Sequence, residues 1–311
     1  MEKIPVLAVV GPTASGKTAL AVKLAKEYSG EVVSADSMQI YKEMQIATAK
    51  PDIEEMQGVP HHLLDFLPPD VSFSVAEYAA RAHQVIAEIV SRGHLPVIAG
   101  GTGLYVDAVL DDLIFAKIET DEKKRAELWA FVDTHGAHAL YERLQNIDPE
   151  SAARIHENNV GRIVRAVEVY ELTGMTMTEH QKNSRPKESR YRSLKIGINY
   201  KDRSILYDRI NRRVDLMMEK GLLEEAARVR SQPRKTAVQA IGYKELEPYF
   251  LKEEPLEVCV ERLKQETRRY AKRQITWFSR DPEILSVYPD VQSEEEIFCN
   301  LKRAVENFTK V

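Results

Sequence analysis

The stretch Pro5–Thr18, PVLAVVGPTASGKT, holds the residues best suited to chemistry. Gly11–Thr18 fits G-x-x-x-x-G-K-[ST], the phosphate-binding loop. Val6–Val10 reads as the buried strand before it and Ala19–Lys26 as the helix after it, which is the setting the motif needs. Gly11 and Gly16 let the backbone curl so that its N–H groups converge on an anion, and Pro12, Thr13, Ala14 and Ser15 complete the cradle. The helix N-terminus adds about half a positive charge. Lys17 adds a full one, and the Thr18 hydroxyl is placed to hold Mg²⁺. The bland alternative is a glycine-rich turn with a stray lysine.

A carboxylate is expected beside this loop. Residues 31–35, EVVSA, read as a second strand that ends at Asp36, followed by Ser37, Met38 and Gln39. Ligands of open α/β sheets sit beyond the carboxyl ends of the strands, where Gly11 and Asp36 both emerge. The competing reading is that Asp36 only caps the next turn. Leu95–Ala99 is a further strand, and it delivers a second glycine-rich turn, Gly100–Tyr105, whose Thr102 hydroxyl can reach the same crevice. His61–Phe66 reads as another strand, with Asp65 structural. His61 and His62 would point to opposite faces, so they make a poor metal pair. No Asp ends the Leu95–Ala99 strand. Asp36 instead lies where an acceptor could lose a proton, rather than where water would be aimed at a γ-phosphate.

The elements that must carry these residues follow from the rest of the chain. Its 311 residues allow one large domain or two modest ones. No apolar run approaches the ~20 residues of a membrane span, and the N-terminus lacks a secretory pattern. Cys259 and Cys299 stand far apart, which argues against disulfide or zinc frameworks and for the cytoplasm. With a net charge of −4, contact with nucleic acid requires a local basic patch. Ser74–Arg92 is a helix opened by a Ser74/Glu77 capping box and closed by Gly93.

Between residues 118 and 192 the pattern is helical throughout: Asp121–Thr134, Ala137–Gln145, Pro149–Ile155 and Val160–Thr173, then a basic stretch from Gln181 to Arg192. Arg162 and Arg165 lie three apart on one helix face. Leu194–Tyr200 returns to strand character. Arg203–Lys220 is a helix bearing Arg209, Arg212 and Arg213, and Ala237–Lys244 contains a glycine–aromatic–lysine turn. In the long helix Pro255–Arg280, Arg262, Arg269, Arg273, Thr276 and Arg280 share one face, thickened by Lys264 and Lys272. That face is a candidate nucleic-acid contact; the plainer reading is a solvated surface. The fold class expected is α/β: a P-loop NTPase-like core with a parallel sheet flanked by helices, residues 1–117 and 193–311, plus an all-helical insertion domain, 118–192.

Seven segments, GPTASGKT (11–18), ADSMQIY (35–41), TAKP (48–51), AGGTGLY (99–105), GRIVRAVEVY (161–170), AIGYKE (240–245) and KRQITWF (272–278), carry a resemblance. Together, and in this order over nearly the whole chain, they resemble the tRNA dimethylallyltransferase (tRNA isopentenyltransferase) family, bacterial type. Gly161 departs from the glutamine often found there. The resemblance implies transfer of a dimethylallyl group from its diphosphate to N6 of the adenosine 3′ of the anticodon. It implies Asp36 as general base, and the Gly11–Thr18 loop, Lys17 and a Thr18-bound Mg²⁺ holding the diphosphate, with Thr102 and Arg213 as further catalytic contacts. For the tRNA it implies Asp36, Ser37, Met38, Gln39 and Thr102 near the base. It also implies Gly161, Arg162, Ile163, Val164 and Arg165, together with Gly242, Tyr243, Lys272, Arg273, Gln274 and Trp277. The insertion then acts as a clamp over the anticodon stem-loop. A monomer with no membrane association is expected. The alternatives are a P-loop nucleotide kinase, prenyl transfer to free AMP or ADP, or an RNA-binding module with a nucleotide switch.

Overall fold

The computed structural model describes residues 3–116, 118, 121–231, 237 and 240–310. Lys117, Glu119 and Thr120, at the expected head of the insertion, and Val238 and Gln239, in the glycine–aromatic turn, lie outside them. The chain folds as two compact units, Met1–Leu110 with Ser189–Val311, and Asp111–Glu188.

The first unit is built on six parallel strands: β1 (Ile4–Val10), β2 (Gly30–Ser34), β3 (His61–His62), β4 (Leu95–Gly100), β5 (Tyr191–Ile198) and β6 (Leu285–Val287), in the order β3-β2-β4-β1-β5-β6. This is the expected α/β class. β1 sits between β4 and β5 with both edges paired, and its apolar run is buried on both faces. Val6, Ala8 and Val10 enter one core and Leu7 and Val9 the other. The early helices are α1 (Lys17–Glu27), α2 (Ile53–Met56), α3 (Val75–Ser91) and α4 (Gly103–Leu110). α3 has the expected Ser74/Glu77 capping box.

β3 is shorter than the strand expected over 61–66. Leu63 and Asp65 adopt φ of 59° and 55°, so the chain turns off the sheet after two residues. His61 Nδ1 then faces Val59 O (2.9 Å), while His62 Nε2 meets Glu31 Oε2 (2.6 Å). Asp65 takes the buried ammonium of Lys50. Glu31, buried at the head of β2, also accepts from Arg92 Nε and Nη2 (3.0 and 2.7 Å) and contacts His94 Nδ1 (2.6 Å). The Arg92 hydrogen bonds, more than any other cause, push the Glu31 carboxyl down to about 2.

The second unit is helical: α5 (Glu122–His135), α6 (Ala137–Ile147), α7 (Pro149–Arg154), α8 (Val160–Thr173) and α9 (Met177–Asn183). Its core gathers Leu128, Leu140, Leu144, Ile163, Val164 and Val167. α9 begins with a Thr176/Glu179 capping box. The first unit resumes with α10 (Arg203–Glu219), α11 (Leu222–Arg230), α12 (Glu247–Phe250), α13 (Leu256–Phe278) and α14 (Glu294–Thr309). Leu110 and Ser189, where the chain leaves and re-enters this unit, are joined by Ser189 Oγ donating to Leu110 O (2.7 Å). Among the described residues no helix is long and apolar enough to cross a membrane.

Candidate active site

The loop after β1 has the curl that a phosphate cradle needs. Gly11, Ala14 and Gly16 have φ of 144°, 61° and 96°, and α1 starts at Lys17. Gly11 must be glycine, since a Cβ there would lie 2.6 Å from Ile198 O. Inside the loop the Ser15 hydroxyl is buried and has no hydrogen-bond partner among the described residues. An unpaired buried hydroxyl calls for a ligand group.

Three cations surround the loop. Lys17 Nζ folds back to donate to Pro12 O (2.6 Å), and Arg209 Nε donates to Ala14 O (2.9 Å). Arg213 Nη2 reaches Ala49 O at 3.5 Å. Desolvation in the cleft pushes the Lys17 ammonium down to about 7; Arg213 adds to the fall and Asp36 opposes it. Burial also lowers Arg213, against the pull of Glu55 and Asp36. Clustered cations with depressed pKa values make a site short of an anion. Arg209 lies one helical turn before Arg213 on α10. That i, i+4 spacing is the signal for its place at the loop.

Asp36 follows β2 at the carboxyl edge of the sheet. Its Oδ1 accepts from Met38 N (2.9 Å) and Gln39 N (3.3 Å), so the capping reading holds for that oxygen. Its Oδ2 makes no hydrogen bond among the described residues. The carboxylate is half-buried and close enough to Lys17 and Arg213 to raise both. It also contributes to the upward shift of the Tyr78, Tyr105 and Tyr270 hydroxyls, after desolvation. Thr102 Oγ1 accepts from Ser37 N (3.1 Å), which ties the second glycine-rich turn to the Asp36 segment. Gly100 has no room for a side chain: a Cβ would fall 2.2 Å from Ala35 O.

The end of α13 packs onto both loops. Gln274 is buried; its Oε1 accepts from Thr13 N (2.8 Å) and its Nε2 donates to Gly101 O (3.0 Å). Trp277 Nε1 donates to Asp107 Oδ2 (3.0 Å), and a Cβ on Gly103 would meet the indole at 2.2 Å. Gln274 therefore clips the cradle to the second turn, and its amide is fully used inside the protein. Lys272 and Arg273 are exposed, with Arg273 lying 5.6 Å from the Tyr270 ring.

The basic face of α13 is less one-signed than its sequence suggests. Arg262 pairs with Glu254, Lys264 with Asp215 and Glu261, and Arg269 with Glu266.

The other expected contacts sort by burial. Gln39 is spent internally: Nε2 donates to Thr48 O (3.2 Å) and Ala49 O (3.1 Å), while Oε1 accepts from Ser34 Oγ (3.2 Å). Tyr243 is buried with its hydroxyl on Glu225 (3.0 Å), and Gly242 (φ 114°) packs against Ala47. Both brace the turn at 45–49 rather than offering a surface. In the helical unit the side chains of Ile163 and Val164, expected among the tRNA contacts, belong to the core. Of residues 161–165, helical period turns Gly161 and Arg162 outward and leaves Arg165 half-buried. Arg165 Nη1 donates to the buried Glu168 (2.8 Å).

Among the described residues no three His, Cys, Asp or Glu side chains converge as a metal cage. The Thr18 hydroxyl makes no hydrogen bond among the described residues and lines a small cavity with Ser34 and Gln39. A free hydroxyl at the head of the phosphate-binding loop suits Mg²⁺, which keeps waters and leans on substrate phosphates.

A family profile described as IPP transferase matches residues 39–281. The tRNA dimethylallyltransferase of Thermoanaerobacter sp. (strain X514) is 49% identical over 279 residues, 88% of this chain and 89% of its own. That of Bacillus licheniformis is 47% identical over 311 residues, 98% of each chain. Among solved structures, the tRNA isopentenylpyrophosphate transferase of Bacillus halodurans superposes with a TM-score of 0.74 at 44% identity, covering 99% of this chain and 98% of that one. A eukaryotic dimethylallyltransferase captured acting on tRNA gives 0.80 at 27% identity, covering 98% and 80%.

Proposed function

Because the chain belongs to the IPP transferase family, we propose that it transfers a dimethylallyl group from dimethylallyl diphosphate to N6 of the adenosine 3′ of the anticodon in tRNA, releasing diphosphate. The observation that carries this reading is Asp36: one carboxylate oxygen fixed by two backbone N–H groups, the other not hydrogen-bonded among the described residues, beside a cationic cradle. An adenine N6 amine is a weak nucleophile because its lone pair is delocalised into the ring, so a placed base matters. Asp36 takes the N6 proton as the new C–N bond forms and the allylic C–O bond breaks. The loop N–H groups, Lys17, Arg209 and Arg213 neutralise the departing diphosphate. Thr18 would hold Mg²⁺, which when bound would supply further neutralisation of the leaving group's charge.

The acceptor base must leave its stack to reach Asp36. The exposed Lys272 and Arg273, with Arg162 and Arg165 of the helical unit, serve as phosphate contacts that set position. Incubation with labelled dimethylallyl diphosphate, Mg²⁺ and either tRNA or AMP tests the assignment. Label is expected in tRNA. Label in the AMP reaction alone would overturn the acceptor.

A further inference from the structure

Glu225 lies on α11, outside the site, and is buried. Its Oε2 accepts from Gln45 N (2.9 Å) and Ile46 N (2.8 Å); its Oε1 accepts from Ala47 N (2.9 Å) and the Tyr243 hydroxyl (3.0 Å). Three consecutive backbone N–H groups aimed at one point form an anion-binding nest, here filled by the protein's own carboxylate. The next two residues of that turn, Thr48 and Ala49, present their carbonyls to Gln39 Nε2. Gln39 N in turn donates to Asp36 Oδ1. Hydrogen bonds joined by short backbone links therefore connect α11 through the 45–49 turn to the segment that holds the carboxylate.

We propose that Glu225 is a positioning residue for acceptor recognition: it fixes the turn whose carbonyls set Gln39 and, through Gln39, the Asp36–Gln39 segment. The proposal rests on the reading of this segment as the acceptor side of the site. The chain touches the cradle's cations through the long Arg213 Nη2–Ala49 O hydrogen bond (3.5 Å), so donor binding is expected to change far less than acceptor binding. Glutamine at 225 keeps the shape but has a single acceptor oxygen, and its amide N–H groups would face backbone N–H groups.

The test is a double-mutant cycle of Glu225→Gln and Gln39→Ala, read by steady-state kinetics with tRNA and with dimethylallyl diphosphate, at a temperature where circular dichroism shows every variant folded. Glu225→Gln is expected to lower kcat/KM for tRNA by about 10–100-fold while the KM for the diphosphate stays within about 2-fold, and the double variant is expected to lose little more than Gln39→Ala alone. Additive losses, or an equal loss on the donor side, would overturn the proposal, since a merely structural role predicts either. Should Glu225→Gln not fold, Tyr243→Phe takes its place in the cycle, with an expected rise of about 2–5-fold in the tRNA KM. A Tyr243→Phe enzyme with wild-type tRNA kinetics would then sink the idea. Wild-type protein that transfers nothing to tRNA would instead refute the function itself, so the two failures are distinguishable.

Discussion

Lys17 should take up a proton when the donor binds. In the free protein its ammonium titrates at about 7 because the cleft strips its water and Arg213 repels it. A diphosphate in the loop adds negative charge next to the ammonium and moves its pKa back toward the ordinary 10.5. The sign follows: the charged form is the one that binds, so affinity is full below pH 7 and declines as pH rises above it. At pH 8 about nine-tenths of free Lys17 is neutral, so binding takes up about 0.9 proton, and between pH 6.5 and 8.5 affinity falls about 25-fold, from 1.36 kcal/mol per pKa unit. Calorimetric titration of dimethylallyl diphosphate with Mg²⁺ and no acceptor, in two buffers of different ionisation enthalpy, counts the protons directly. Lys17→Arg supplies the reference, because its guanidinium does not titrate while the ligand's own protonation is unchanged. Uptake below about 0.3 proton at pH 8, or the same uptake in Lys17→Arg, would refute the reasoning.

Asp36→Asn keeps an acceptor for the Met38 and Gln39 N–H groups but cannot take a proton; single-turnover transfer should drop by about 10²-fold or more while donor affinity persists. Neutralising Lys272 and Arg273 should weaken tRNA binding and flatten the log–log salt dependence by about 0.7 per charge, as filter binding across a salt series would reveal. Glu31→Gln should cost about 2 kcal/mol at neutral pH, a value discounted because Arg92 is solvent-screened. The Glu31 carboxyl is depressed, so its stabilisation is present above about pH 4.5 and lost toward about pH 2. Denaturation curves of the two proteins should therefore converge in acid.

The cradle, the strand before it and the capping boxes were legible because each depends on neighbours in sequence. β1 needs only its apolar run, and α3 only Ser74 and Glu77. β3 was over-read because nothing in His61–Phe66 announces left-handed conformations at Leu63 and Asp65. β6 is three residues whose pairing with β5 is a tertiary fact, and it was missed. α9 could have been found from Thr176 and Glu179. At the site, Gln274 stands in sequence among the residues that the family resemblance assigns to the tRNA. Its partners, Gly101 and Thr13, lie 173 and 261 residues away, so no local pattern reveals that its amide is buried between two loops. The arginine stripe is less free than its spacing suggests, because carboxylates on the same helix (Glu261, Glu266), just before it (Glu254) and on α10 (Asp215) neutralise part of it.

The bond between Ser189 Oγ and Leu110 O has a consequence for how this protein can be cut and rebuilt. The seam it closes is a socket: everything from 111 to 188 hangs on two adjacent ends that the sheet domain already holds together. Short tethers suffice where the points to be joined are close, and such seams tolerate excision and replacement. A sheet domain stripped of the helical unit, or one fitted with a foreign helical module, becomes a practical design.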